Sequence, residues 1–284
     1  MYRRRMATAK KKPAAKKTKK PAPAKKAAPV KKAAPVKKAA PVKKAAPAKK
    51  VAAAKQKAEK LRDLPRLVLV ERDRSRFLHD GEHFGRATIA LHAIGTLELP
   101  SGTIVTCDPF LVDGPALART VAPGAYPVSL AVATFRGDKT KGDQRVAAAT
   151  VHFRPGVPTS WEVASFEAAP RKKGGEPGYP VDAGTGCFMD AGAQAAIKSE
   201  PTYWPTPSYK ALEKQLLTEH YTHTWGWAVY QPDPASRANC VAFMSGYGDG
   251  VYSSFWGLDD RGTPLCLTTD FDVFTDEDWT AAAS

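Results

Sequence analysis

The sequence NCVAFMSGYGDGVYSSFWGLDDRGTPLCLTTDF (residues 239–271) alternates strand-like segments with short polar turns. Three segments have the length and the β-branched, aromatic composition of strands: 239–247, 250–258 and 264–271. The Gly-Asp-Gly at 248–250 and the Asp-Asp-Arg-Gly at 259–262 between them are turn formers. Because short turns join antiparallel neighbours, we predict a terminal meander that also includes TWGWAVY at 224–230.

The chain from residue 64 onward contains further strand patterns. We predict strands at 67–73, 90–99, 103–107, 125–135, 145–153 and 160–166. The turn at Pro100-Ser101-Gly102 predicts that the segments on either side of it form a hairpin. Two helices are predicted after residue 190, one capped by Asp190 and one capped by Ser208. The predicted fold is mostly β: an antiparallel, β-sandwich-like domain with a two-helix insertion.

The charge of the chain is divided sharply between two parts. Residues 1–60 contain 23 Lys or Arg and one acid, Glu59, and therefore carry +22, whereas residues 61–284 carry −7. The hexamer KKAAPV repeats from residue 25, with a proline every six residues. Proline breaks helices, and the repeat has little apolar surface to bury, so we predict a disordered tail over 1–60. We predict one globular, β-rich domain over 64–284.

The paired lysines of the tail are its candidate binding residues: Lys25, Lys26, Lys31, Lys32, Lys37, Lys38, Lys43 and Lys44. Such pairs bind phosphate backbones by releasing counterions, without reading sequence. The composition of the tail resembles that of linker-histone and bacterial histone-like tails. The interpretation is a non-specific tether to DNA or RNA; a solubilising spacer and an anionic lipid surface are the alternatives.

The four cysteines lie far apart, without a CxxC pair, at positions 107, 187, 240 and 266. This spacing argues against a zinc knuckle, and we expect reduced thiols in a cytoplasmic protein, associated with the nucleoid through its tail. No apolar run reaches the roughly 20 residues that a membrane span needs. The sequence contains none of the motifs GxxxxGK, HExxH and GxSxG. This argues against the commonest classes of NTPase, metalloprotease and esterase, which carry these motifs.

Several motifs taken together resemble a bacterial family known as domain of unknown function 4241. The motifs are LPSGTIVTCDPF (99–110), PGAYPV (123–128), YPVDAGTGCFMD (179–190), VAFMSGYGDGVYSSFWGLDDRG (241–262) and LTTDF (267–271). The resemblance covers about residues 85–274. It implies a domain extent but no activity, cofactor or partner, and the basic tail is not part of the family pattern.

The stretch VDAGTGCFMD (181–190) contains the chemically richest motif of the domain. Its two aspartates and two others could meet at one end of the predicted sandwich and bind a divalent cation. The candidate ligands are Asp108, Asp182, Asp190 and Asp249. Magnesium or calcium prefers such oxygen ligands, and a bound ion could position water for hydrolysis. Asp182 and Asp249 are then candidate catalytic residues. The alternative is that these residues form turns and a helix cap.

The sequence also contains candidates for two other kinds of site. Cys187 could be a nucleophile whose pKa is lowered by the following helix, with His152, His220 or His223 as base; the alternative is a buried core thiol. His220 and His223 could also bind a metal, or form a surface pair at a helix end. The aromatic residues Trp225, Trp227, Tyr230, Phe243, Tyr252, Phe255 and Trp256 are predicted core, with Trp256 lining a ligand cleft as the alternative.

The leading functional hypothesis is a binding or interaction domain that the basic tail tethers to nucleic acid or another polyanion. A protein partner of the globular domain is part of this hypothesis, and no resident cofactor is identified. The alternative is a metal-assisted hydrolase that uses the Asp/Gly motifs and a divalent cation. The sequence does not decide whether the protein is an enzyme.

Overall fold

A computed structural model describes residues 72–137, 142–167 and 177–282, and these residues form an antiparallel β fold with two sheets and three α-helices. The predicted fold class is therefore confirmed. The predicted disordered tail over 1–60 and its lysines lie outside the described residues. The predicted strand at 67–73 also begins outside them, and Arg72 and Asp73 are not in a strand.

The strands are numbered here in chain order. They are β1 (His83–Phe84), β2 (Ala87–Leu99), β3 (Ile104–Cys107), β4 (Gly124–Phe135), β5 (Gln144–His152), β6 (Ser160–Val163), β7 (Tyr179–Val181), β8 (Thr185–Asp190), β9 (Trp227–Tyr230), β10 (Cys240–Met244), β11 (Gly250–Leu258) and β12 (Pro264–Asp270). The helices are a 3-10 helix (Arg74–Leu78), α1 (Ala191–Lys198), α2 (Pro207–Lys214), a π-helical turn (Gln215–Glu219) and α3 (Asp276–Ala282). Within the described ranges, no helix is long and apolar enough to cross a membrane.

The larger sheet has the strand order β1-β2-β4-β5-β12-β11-β6, and β7 pairs with β11. The pairs in it are antiparallel, and β2 pairs with β4 along almost its whole length. The smaller sheet has the order β3-β8-β10-β9. One face of the smaller sheet contributes Phe188, Val241 and Phe243 to the main core, in which Leu97 and Val132 of the larger sheet are also buried.

The other face of the smaller sheet packs under the helices. Its Met189 and Cys240 share a second core with Ile197 of α1, Leu212 of α2 and Leu216 of the π-helical turn. All residues of β3 and β8 are buried, as expected for strands covered on both faces. The smaller sheet is thus the middle layer between the larger sheet and the helices.

Two predicted strand pairings are wrong. Strands β2 and β3 do not form a hairpin, because β2 pairs with β4 and β3 pairs with β8. Likewise β10 and β11 belong to different sheets, so the predicted terminal meander reduces to the separate pairs β9–β10 and β11–β12. The turn between β2 and β3 crosses from one sheet to the other at Gly102. This residue has φ of +70°, and a Cβ added to it would lie only 2.3 Å from Val121 O, so the position requires glycine.

The helix caps agree with the prediction for one helix only. Asp190 caps α1, since its carboxylate accepts a hydrogen bond from Gly192 N. The predicted cap Ser208 is wrong: α2 begins at Pro207, and Thr206 accepts the hydrogen bond from Tyr209 N. Proline is favoured at the first helical position because it has no amide that needs a partner there.

A buried carboxylate connects the two ends of the described chain. Asp270 at the end of β12 is 3% exposed, and its Oδ2 lies 3.4 Å from Arg74 Nε and 3.8 Å from Arg72 Nη1. Arg72 also pairs with Asp272 and Asp276. Burial raises the pKa of Asp270 from its ordinary 3.8 to about 6, because the loss of solvation outweighs the two arginines, which lower this pKa.

This raised pKa predicts a pH dependence of stability with a defined sign. An unfolded aspartate loses its proton near pH 4, whereas Asp270 keeps it to about pH 6. Its contribution to the free energy of unfolding is therefore full below about pH 4 and is lost as the pH rises through about 6. Between pH 4 and pH 7, wild type should lose on the order of 3 kcal/mol relative to Asp270→Asn.

Urea unfolding of both proteins from pH 4 to pH 8 measures this difference. Asp276→Asn, which removes an exposed ion-pair partner of the same Arg72, is the control. A constant difference between wild type and Asp270→Asn would show that the arginines fully offset the effect of burial on this pKa, and a change in the opposite direction would show that they dominate.

Candidate functional site

An open groove of about 520 Å³ lies beside α2, at the end of the smaller sheet where β3 and β10 finish and β8 begins. It is lined by Phe110, Leu111, Ala183, Gly184, Thr185, Trp204, Tyr209, Glu213, Leu216, Leu217 and Met244. Most of these side chains are apolar, and the volume falls within the range of small-molecule sites. This groove is the candidate functional site.

Three aromatic rings line the groove, and Tyr209 contacts both of the others. The ring of Tyr209 lies 5.0 Å from that of Phe110 and 4.1 Å from that of Trp204, with interplanar angles of 58° and 56°. Trp204 is 69% exposed, and Leu217 is 56% exposed. Large apolar side chains that stay in water beside a concave surface are typical of binding sites.

Among the described residues that line the groove, Glu213 carries the one formal charge. Its Oε1 accepts a hydrogen bond from Tyr209 Oη at 3.1 Å. Removal from water and the nearby Glu213 both raise the pKa of Tyr209, so the phenol stays protonated as the donor. The groove therefore combines an aromatic wall with a carboxylate.

The buried carboxylate of Asp108 holds together the two loops at the end of the smaller sheet. Its Oδ2 accepts hydrogen bonds from Asp182 N at 3.0 Å and Ala183 N at 2.8 Å, and its Oδ1 accepts one from Phe110 N at 2.9 Å. Asp108 is 1% exposed. Three amide donors compensate for the burial of this charge. The positions of Phe110 and Ala183 in the groove thus depend on it.

The other candidate carboxylates are divided between the two ends of β8. Asp249 accepts a hydrogen bond from Gly184 N at 3.0 Å, so the structure brings Asp108, Asp182 and Asp249 to the same loop. Asp190 lies at the opposite end and binds Ser101 Oγ at 2.6 Å and Gly192 N at 2.6 Å. Asp182 has an exposed side chain.

Within the described part of the chain, no three His, Cys, Asp or Glu side chains form a group that could hold a metal ion. The oxygens of Asp108 and Asp249 already accept backbone amides, and a cation would have to compete with these donors. The hypothesis that Asp108, Asp182, Asp190 and Asp249 bind a divalent cation stays a prediction.

Two departures from regular backbone geometry border the groove. Val112, next to Leu111, has φ of +57°, a conformation that is rare for a β-branched residue. Gln194 of α1 fixes this segment by donating to Val112 O and Gly114 O. The π-helical turn supplies Leu216 and Leu217 on the other side. Strained residues and π-turns concentrate at functional sites in proteins.

The thiol of Cys187 does not have the properties of a nucleophile. The side chain is fully buried, its Sγ lies 3.8 Å from Cys107 Sγ, and it donates to Cys107 O at 3.1 Å. Burial raises the pKa of Cys187 well above its usual range. The predicted lowering of this pKa by the helix is therefore wrong in direction.

The three candidate histidines make other contacts. His152 Nε2 lies 2.8 Å from Ser129 Oγ, and burial lowers the pKa of His152. His220 stacks on Trp227 with 4.7 Å between ring centroids. His223 is exposed and has φ of +57°.

The predicted aromatic core is confirmed for Trp225, Phe243, Tyr252, Phe255 and Trp256, while Trp227 and Tyr230 are partly buried.

The groove residues that matter most were not predicted from the sequence. Trp204, Tyr209 and Glu213 lie in one segment, 204–213, and the fold brings Phe110 to them from the segment after β3. The one available signal is TYWPTPSY at 202–209, where aromatic residues stand among prolines. A proline-rich segment cannot easily bury its aromatic residues in a regular strand or helix, and this is the pattern of an exposed binding loop.

The fold and groove define a layered antiparallel β protein with a helical cover and an open, largely apolar site. The chain belongs to the family described as Protein of unknown function (DUF4241), whose model matches residues 97–269. This confirms the family resemblance found in the motifs. No curated protein and no solved structure matches the chain.

The role of Asp108 predicts a large effect of a small substitution. Asp108→Asn should lower the free energy of unfolding by about 2–4 kcal/mol, because an amide group cannot accept all three hydrogen bonds. The melting temperature should fall by roughly 5–15 °C. Asp249→Asn is the matched control: it is exposed and accepts a single amide, so its loss should be about 1 kcal/mol or less. Equal effects of the two substitutions in thermal melts would contradict the role of Asp108.

The cysteines should be unreactive in the folded protein. All four are buried, and burial raises the pKa of Cys187 and, to about 11, that of Cys266, whereas alkylation requires an accessible thiolate. Iodoacetamide at pH 8 should label the urea-unfolded chain at all four positions and the native chain at none on the same timescale, as measured by mass spectrometry. Rapid native labelling of Cys187 would restore the nucleophile hypothesis.

Proposed function

We propose that this protein is a binding protein whose basic N-terminal segment attaches it to nucleic acid or another polyanion, while the β-rich domain binds a ligand or protein partner. The observation that carries the proposal is the division of charge, +22 over residues 1–60 and −7 over residues 61–284. The first part has the charge of a polyanion binder, and the second does not.

The spacing of the lysines supports a non-specific contact. Lys25-Lys26, Lys31-Lys32, Lys37-Lys38 and Lys43-Lys44 recur every six residues. Each lysine that neutralises a phosphate releases counterions, which favours binding at low salt and needs no base contact. No aromatic residue interrupts the repeat, so there is no platform on which bases could stack.

The attachment would act by raising local concentration. A domain held on a nucleic acid meets ligands or proteins bound to the same polymer at a higher effective concentration than free domain does. The apolar groove beside α2 supplies a binding surface for the domain. We therefore expect a location on the nucleoid within the cytoplasm.

Fluorescence anisotropy with a labelled DNA duplex tests the attachment. Replacing the eight paired lysines by glutamine in the full chain should weaken binding and should reduce the slope of log K against log salt by several units, up to about 7. The matched control replaces Lys198 and Lys210 of the domain, which should reduce the slope by less than 1. An unchanged slope in the eightfold variant would refute the proposed tether.

The alternative, a metal-assisted hydrolase that uses Asp182 and Asp249, stays a prediction. The hydrogen bonds of Asp108, Asp190 and Asp249 to backbone amides are sufficient to account for these carboxylates in the fold. For this reason the binding protein is the function proposed here.

A further inference from the structure

We propose that the groove beside α2 is a receptor for a small organic ammonium ion with an apolar body. The function proposed above assigns no ligand to the groove, and this inference names its chemical class. It depends on three features of the groove: the aromatic wall, the position of Glu213 and the apolar floor.

The aromatic rings of the groove can bind a cation through their faces. The ring of Tyr209 is tilted by 58° against Phe110 and by 56° against Trp204, so neither pair stacks in parallel, and all three residues line the groove. The face of an aromatic ring carries a negative potential that attracts ammonium groups, and indole is the strongest of the three. Trp204 stays 69% exposed, which leaves its ring accessible to a ligand.

Glu213 supplies a full negative charge next to this wall. It lies one helical turn from Tyr209 and accepts the hydrogen bond of the Tyr209 hydroxyl. The neighbouring Lys214 does not neutralise it, because Lys214 pairs with Glu219 at 2.5 Å. No lysine, arginine or histidine occurs among the described residues that line the groove, so its charge favours cations over anions.

The floor of the groove fits the body of the ligand. Leu216 is 2% exposed, Met244 is half-buried, and Leu217 extends the apolar surface outward. Methionine and leucine suit an alkyl chain, and methionine adapts readily to its shape. A volume of about 520 Å³ holds a small amphiphile.

Isothermal titration of the full chain at 150 mM salt tests the proposal with a matched pair of probes. Choline and 3,3-dimethylbutan-1-ol have nearly the same shape, but only choline is charged. Choline should bind at least about tenfold more tightly. In a series of alkyltrimethylammonium ions from methyl to hexyl, the affinity should rise by up to about fourfold per methylene.

Two pairs of variants locate the site. Trp204→Ala and Glu213→Gln should each weaken choline binding by about tenfold. Tyr203→Ala removes a neighbouring aromatic residue that is 59% exposed but does not line the groove. Glu277→Gln removes an exposed charge of α3, outside the groove. Both should leave the affinity unchanged. Thermal melts of all four variants check that the fold is kept.

Three results would overturn the proposal. They are equal affinities for choline and its neutral analogue, equal effects of the groove variants and their controls, and no binding of any ammonium ion at millimolar concentration. None of these results affects the polyanion tether, since DNA binding is measured separately on the lysine variant. Conversely, loss of the tether would leave choline binding by the groove unchanged.

Discussion

The smaller sheet is buried on both faces, and the rest of the domain is arranged around this constraint. One face needs the larger sheet and the other needs the helices α1 and α2. The chain must therefore cross between sheets on entering and leaving the middle layer, as it does between β2 and β3 and between β10 and β11. The crossing segments and loops gather at the ends of the sheet, and those at one end form the groove.

Loops at the end of a buried sheet have amides that water does not easily reach, and each such amide needs a partner. Asp108 provides partners for three amides in two loops, and Asp249 provides one for Gly184. Carboxylates that resemble a catalytic or metal-binding set in the sequence thus hold the loops in place. The groove gains a fixed shape from them even though its own lining is mostly apolar.

Local patterns in the sequence were sufficient for the strands of the larger sheet, such as β4, β5 and β12, and for the cap at Asp190. They were not sufficient for pairing, because a turn such as Pro100–Gly102 looks the same whether the strands beside it pair or separate into two sheets. The sequence pattern of residues 185–190 indicates a site, or turns and a helix cap, rather than a strand, since a strand buried on both faces lacks the alternation that identifies one. The aromatic residues at 202–209 stand out in the sequence, but the contact of Phe110 with Tyr209 depends on these long-range pairings, so the groove could not be predicted.

Part of the energetic cost of this fold lies around the groove. Val112 in the left-handed region costs roughly 1–3 kcal/mol, a substantial part of the 5–15 kcal/mol that stabilises a typical domain. The exposed rings and side chains of Trp204, Leu217 and Leu111 add apolar surface that stays in water. A ligand that covers this apolar surface removes it from water, which is favourable. Because the groove exists only in the folded chain, such a ligand binds only the folded state. A ligand in the groove would therefore stabilise the folded domain.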